Sequence, residues 1–179
     1  MSSVVHAFCR GLNQRFPSLG PALKLGPALP IEMAGREINV KILLVEDCKT
    51  IRRENESALH HAGYEVICAE DGETALQMAR QQHPDLVLLD MILPKMSGPE
   101  VLKHLKSEPA TADIPVVVLS SLSERNRQKL LEDGAEEYLE KNAMMPRKGV
   151  NLLANELQNV ICRINRRRGI AFSKVPLHD

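Results

Sequence analysis

Three short stretches of this chain are almost wholly apolar: VKILLV (40–45), LVLL (86–89) and IPVVVL (114–119). A strand with one wet face alternates apolar and polar residues. An unbroken apolar run of this length therefore predicts a strand covered on both faces. Segments with helical spacing separate the runs. Thr50–His61 puts Ile51, Ala58, Leu59 and Ala62 on one side, with Gly63 as its stop. Gly72–Gln82 carries Ala75, Leu76 and Ala79 on one stripe, and Pro84 blocks its continuation. Pro99–Ser107 turns Val101, Leu102 and Leu105 inward, and Glu124–Asp133 ends at Gly134. Gly149–Arg167 keeps Val150, Leu153, Leu157, Val160, Ile161 and Ile164 at helical spacing throughout.

Two more polar strands, Tyr64–Ala69 and Glu137–Glu140, complete the pattern. Strand and helix alternate five times. That predicts an α/β fold, a doubly wound five-stranded parallel sheet with helices on both faces. Polar strands are tolerated best at sheet edges. The flavodoxin-like order 2-1-3-4-5 places both of them there.

The regular pattern occupies residues 39–167. Residues 1–38 carry Pro17, Pro21, Pro27 and Pro30 with interleaved glycines, which rules out a long helix or strand. The expectation is a Pro/Gly-rich extension, or a start misplaced upstream of Met33. Residues 168–179 are expected to be a short tail with no room for an effector domain. Lys and Arg number 23 and Asp and Glu 23, so no global field selects nucleic acid or an anionic membrane. No apolar run reaches the roughly 18 residues of a membrane helix. The four cysteines are scattered and form neither a zinc knuckle nor a redox pair, which predicts reduced thiols and a cytoplasmic location.

In a sheet of this kind ligands bind at the carboxyl ends of the strands. There the sequence gathers Glu46–Asp47, Asp90, Ser120–Ser121 and Lys141. Two carboxylates ~4 Å apart at an effective dielectric near 20 repel by about 4 kcal/mol. Either one carboxyl holds a proton or a cation sits among them. Few ligands, all oxygen, suit Mg²⁺, and the absence of placed His or thiol argues against zinc. A metal, an ammonium and a hydroxyl facing a carboxylate suit phosphoryl transfer, with Asp90 as candidate nucleophile.

KILLVEDCK, AEDGETAL, LVLLDMILPKMSG, IPVVVLSS and GAEEYLEK together resemble the receiver domain of two-component response regulators. The resemblance implies a signalling protein that catalyses only its own phosphorylation and dephosphorylation. It implies that Asp90 accepts a phosphoryl group from a sensor histidine kinase or a phosphotransfer protein. It further implies Mg²⁺ on Asp47 and Asp90, with Glu46 in support and the backbone carbonyl of Ile92 completing the set. Lys141 would pair with the acids and then with the phosphoryl group. Ser120, where Thr is commoner, would move to a phosphate oxygen, and Tyr138 would act as the aromatic switch. The fourth helix, fifth strand and fifth helix would be read by an output partner or a phosphorylation-dependent homodimer.

Asn142 departs from the family's usual Pro after the Lys. Ile92 and Leu122, two residues past Asp90 and Ser120, offer no polar group to orient water, which predicts slow self-dephosphorylation. Three rivals remain open to the sequence. A phosphohydrolase would want a second Asp where Ile92 stands. A phosphorylation-independent scaffold would not need the acid cluster, Ser120 or Lys141. The basic run Arg163, Arg166, Arg167 and Arg168 could contact nucleic acid or an acidic partner, though such runs are usually solvated helix ends.

Overall fold

The structure, a computed structural model, describes residues 40–121, 126–141 and 152–168. The strands are β1 (Lys41–Val45), β2 (Glu65–Ala69), β3 (Leu86–Leu89), β4 (Val116–Ser120) and β5 (Glu137–Glu140). The helices are α1 (Lys49–His61), α2 (Gly72–Gln82), α3 (Gly98–Ser107), α4 (Arg127–Glu132) and α5 (Leu152–Arg167). All strand pairs are parallel, in the order β2-β1-β3-β4-β5. The two polar strands are the edges, and every residue of β3 is buried.

Strand alternation splits the core into two layers. Ile42 and Leu44 of β1 pack in one cluster with Leu59 of α1 and Leu157 and Ile161 of α5. Leu43 and Val45 pack in the other with Ala75 and Ala79 of α2, Val101 and Leu105 of α3, and Leu130 of α4. The apolar runs are continuous because both layers draw on the same strands.

β4 runs two residues later than its apolar stretch suggests at the start and one later at the end. Pro115 has no N–H for the ladder, and the Ile114 N–H is bonded to Thr111 O at 3.0 Å. At the far end Ser120 is still paired, opposite Glu140, so it is the last strand residue rather than the first loop residue. Of the α1 stripe only Leu59 is fully covered, while Ile51, Ala58 and Ala62 are half-buried. α4 is short and buries only Leu130. The N-terminal extension with Met33, Leu122, Glu124, Asn142, residues 149–151 and the segment after Arg168 lie outside the described residues.

Candidate functional site

The ends of β1 and β3 are tied together beyond the strands themselves. The Asp90 N–H donates to Val45 O at 3.1 Å, and the Glu46 N–H donates to Ala69 O at 3.1 Å. Both acidic residues are therefore anchored by their backbones to the central sheet. Glu46, Asp47 and Asp90 each offer a carboxylate oxygen within 4.8 Å of the others. Glu46 and Asp90 are buried, and Asp47 is exposed, so the cluster opens to solvent on the Asp47 side.

Lys141, directly after β5, reaches into this cluster. Its Nζ donates to Asp90 Oδ2 at 2.6 Å. Glu46 Oε2 lies 2.6 Å from the same ammonium, an ion-pair contact whose direction falls outside hydrogen-bond geometry. Burial pushes the Glu46 carboxyl up, and Lys141 only partly offsets that. Burial would depress the Lys141 ammonium, but its hydrogen bond to Asp90 and its ion pair with Glu46 outweigh that and hold it above its usual value. Among the described residues, one ammonium against three carboxylates leaves the cluster short of positive charge. Oxygen-only donors, a charge deficit and an open mouth fit a hard divalent cation such as Mg²⁺.

The loop after β3 shapes the other wall. The Ile92 N–H donates to Asp90 Oδ1 at 3.2 Å, while Ile92 as a residue is 57% exposed. The loop closes through Gly98 N–H to Met91 O at 3.1 Å. A side chain at Gly98 would press on the Asp90 carbonyl oxygen and the Met91 backbone, so this position has room only for glycine. α3 starts at once, with Glu100 Oε2 accepting from Ser97 N at 2.9 Å and from Ser97 Oγ at 2.6 Å.

Ser120 is fully buried at the end of β4. Tyr138 pairs with Val118 across β4 and β5 and is buried in the α2, α3 and α4 layer. The sheet thus brings Glu46, Asp47, Asp90 and Lys141 together, with Ser120 at the same rim and Tyr138 behind it. The Lys141–Asn142 peptide lies outside the described residues.

Two side chains around the acids escape a reading of the sequence. Arg52 of α1 donates from Nη1 to Glu46 O at 2.7 Å and to Asp47 O at 3.2 Å. Lys95 in the β3–α3 loop donates to Asp71 Oδ2 at 2.6 Å, while Asp71 Oδ1 caps α2 through Thr74 N at 2.8 Å. The N-cap role of Asp71 before Gly72 is readable from residue type, but its tie to Lys95 depends on the tertiary fold.

The basic end of α5 faces the protein's own acids. Arg163 pairs with Glu137 at 3.0 Å, Arg167 with Glu136 at 3.8 Å, and Arg168 with Glu136 at 3.3 Å. Glu137 also takes Arg127 of α4 at 3.2 Å, so one β5 carboxylate links α4 and α5. Internal pairing of these guanidinium groups weakens the case for a polyanion site. No helix among the described residues is long and apolar enough to cross a membrane.

Residues 42–150 match the response regulator receiver domain family. The chain is similar to the probable transcriptional regulator ycf27 of Porphyridium aerugineum, at 42% identity over 56% of this chain and 41% of that protein. It is also similar to the phosphate regulon transcriptional regulatory protein PhoB of Escherichia coli strain K12, at 42% identity over 56% of this chain and 44% of that protein. The matched stretch thus spans less than half the length of these relatives. Among solved structures, the chemotaxis response regulator CheY4 of Vibrio cholerae superposes with a TM-score of 0.59 at 30% identity, covering 68% of this chain and 98% of that one.

Proposed function

This chain belongs to the response regulator receiver domain family, and from that premise we propose that it is a phosphorylation-driven receiver acting through Asp90. An Asp90 carboxylate oxygen attacks the phosphorus of a phosphohistidine on a sensor histidine kinase or phosphotransfer protein. The phosphorus–nitrogen bond breaks, and the imidazole leaves with that electron pair and takes up a proton. Asp90 becomes an acyl phosphate.

Glu46, Asp47, Asp90 and the Ile92 backbone carbonyl would hold Mg²⁺. When bound there the ion supplies positive charge to the phosphoryl oxygens. Lys141 turns from Asp90 to a phosphoryl oxygen, and Ser120 donates a hydrogen bond to another. Tyr138 follows the Ser120 hydroxyl. The observation that carries this reading is the 2.6 Å contact of Lys141 Nζ with both Asp90 and Glu46. A cation that must swap partners when a phosphoryl group arrives couples chemistry to the end of β5.

Output runs through the face of α4, β5 and α5, to a partner protein or a second copy of the chain. α4 suits this role, since a short helix held by one buried residue shifts at low cost. In this reading the receiver spans residues 39–167, works in the cytoplasm, and turns over no substrate beyond its own aspartyl phosphate. Phosphoramidate, a small donor with a phosphorus–nitrogen bond, tests the chemistry. Phosphorylation that needs Mg²⁺ and yields a hydroxylamine-labile adduct is the expected result. An adduct stable to hydroxylamine would point away from a carboxyl acceptor.

A further inference from the structure

The β2–α2 connection gives no oxygen to the acid cluster, yet it is tied to both loops that do. We propose that Glu70 and Asp71 form a brace between the β1–α1 and β3–α3 loops, with Arg52 and Lys95 as positioning residues for Mg²⁺ binding at the acid cluster. The inference rests on the function proposed above and adds residues with no direct part in the chemistry.

Arg52 grips the main chain of the acidic pair rather than its carboxylates. Nη1 bonds the carbonyls of Glu46 at 2.7 Å and Asp47 at 3.2 Å. Nη2 lies 3.4 Å from Glu70 Oε2. The side chain is only 16% exposed, so the guanidinium has little freedom to leave. A planar guanidinium holds its donors in a rigid fork that spans two carbonyls and a carboxylate, whereas a lysine presents one compact ammonium on a flexible stem and fixes that spacing less well. The Glu70 backbone is anchored, because it follows Ala69, whose carbonyl accepts the Glu46 N–H at 3.1 Å, while its carboxylate reaches Arg52 from an exposed side chain.

The next residue faces the other loop. Asp71 holds at 2.6 Å the ammonium of Lys95, which stands five residues after Asp90 and three after Ile92 in the same loop. Lys95 has φ +65°, a left-handed backbone that a non-glycine residue adopts only with support. The Asp71 carboxylate supplies that support from the cap of α2. Adjacent residues of one edge-strand loop thus clamp both ligand-bearing loops, one through Arg52 and one through Lys95.

The sign of the substitution effect separates a brace from a charge. As positive charges near the site, Arg52 and Lys95 oppose a divalent cation, so removing either charge alone would tighten Mg²⁺ binding. As braces they hold the ligand loops, so removing them would weaken it. Loss of a group that orients metal ligands typically costs about 10- to 100-fold in affinity.

The test is calorimetric titration of Mg²⁺ into the full chain, with urea melts as a check on folding. Arg52→Gln is expected to raise the Mg²⁺ Kd about tenfold. Arg52→Lys is expected to raise it as well, since it keeps the charge and loses the fork. Lys95→Gln, at a more exposed pair, is expected to raise it by a few-fold. If Arg52→Gln does not fold, Arg52→Lys decides. Unchanged or tighter binding in the folded Arg52 variants, with wild type binding Mg²⁺ and forming its phosphoryl adduct, would overturn the brace alone. Unchanged or tighter binding in Lys95→Gln would remove Lys95 from it. Wild type that neither binds Mg²⁺ nor forms the adduct would overturn the proposed function itself, and the brace with it.

Discussion

Lys141 and Asp90, 51 positions apart in the chain, meet at 2.6 Å at the carboxyl end of the central sheet. Glu46 stands at the same distance from the same ammonium. The internal cation answers the question of how buried carboxylates coexist here: Lys141, directly after β5, meets part of their charge, and the proposed Mg²⁺ would meet the rest.

Lys141→Met removes that cation and leaves Glu46 and Asp90 facing each other. Breaking a fully buried pair costs roughly 3–5 kcal/mol, and about 2–3 kcal/mol is expected here because the cluster opens on the Asp47 side. Uptake of a proton by Glu46, already biased toward its neutral form by burial, limits the loss further. Urea unfolding without Mg²⁺ measures the cost. Added Mg²⁺ should restore more stability to the variant than it adds to wild type.

The Asp71–Lys95 pair predicts a specific acid dependence. Lys95 above all holds the Asp71 carboxyl at about 2, below its ordinary 3.8. A carboxyl depressed in the fold adds stability above its unfolded value, and that stability is lost as pH falls through the folded value. Asp71→Asn keeps a good helix cap but loses the charge. The stability gap between wild type and this variant, from urea midpoints, should be full at neutral pH and close between about pH 4 and pH 2. A gap that ignores pH would remove the ion pair from the account.

Gly98 tests how tightly the loop after β3 is drawn. In Gly98→Ala the added Cβ meets Met91 Cα at 2.5 Å and presses on the Asp90 carbonyl. Both neighbours are backbone, so neither yields cheaply. A loss of about 2–3 kcal/mol is expected from overpacking, together with slower phosphorylation, since Asp90 itself must shift. Stability within error of wild type would show that the loop relaxes freely.

Ile92 predicts how long the aspartyl phosphate survives. Its side chain is exposed beside Asp90 and carries no polar group to hold a water. Ile92→Asn should shorten the phosphoprotein half-life in Mg²⁺ by about tenfold, less than the roughly 100-fold lower bound of a positioned general base. A wild-type half-life of only seconds would contradict the expectation.

The strands and their order were legible because burial on both faces forces unbroken apolar runs, as in Leu86–Leu89, while the edges of the sheet can afford polar residues. The site was legible for a related reason: in a parallel sheet the residues after each strand share one rim, so Glu46, Asp47, Asp90 and Lys141 could be collected by position alone. Register was less readable. Pro115 moved the start of β4 through a missing N–H, and Ser120 proved to be a paired strand residue. Arg52 and Glu70 were invisible, since the strand order puts β2 beside β1 but no local spacing tells which α1 side chain meets the β2–α2 connection. The basic end of α5 suits a helix end better than a polyanion site, but its partners were not readable: Arg163, Arg167 and Arg168 meet Glu136 and Glu137, which lie outside α5.

The central claim is that Asp90 is the phosphoacceptor. Intact-mass spectrometry after incubation with acetyl phosphate and Mg²⁺ tests it most directly, on wild type and on Asp90→Ala. The account predicts one added phosphoryl group on wild type, none when Mg²⁺ is chelated, and none on the variant. An adduct of the same size on Asp90→Ala, or none on folded wild type, would contradict it.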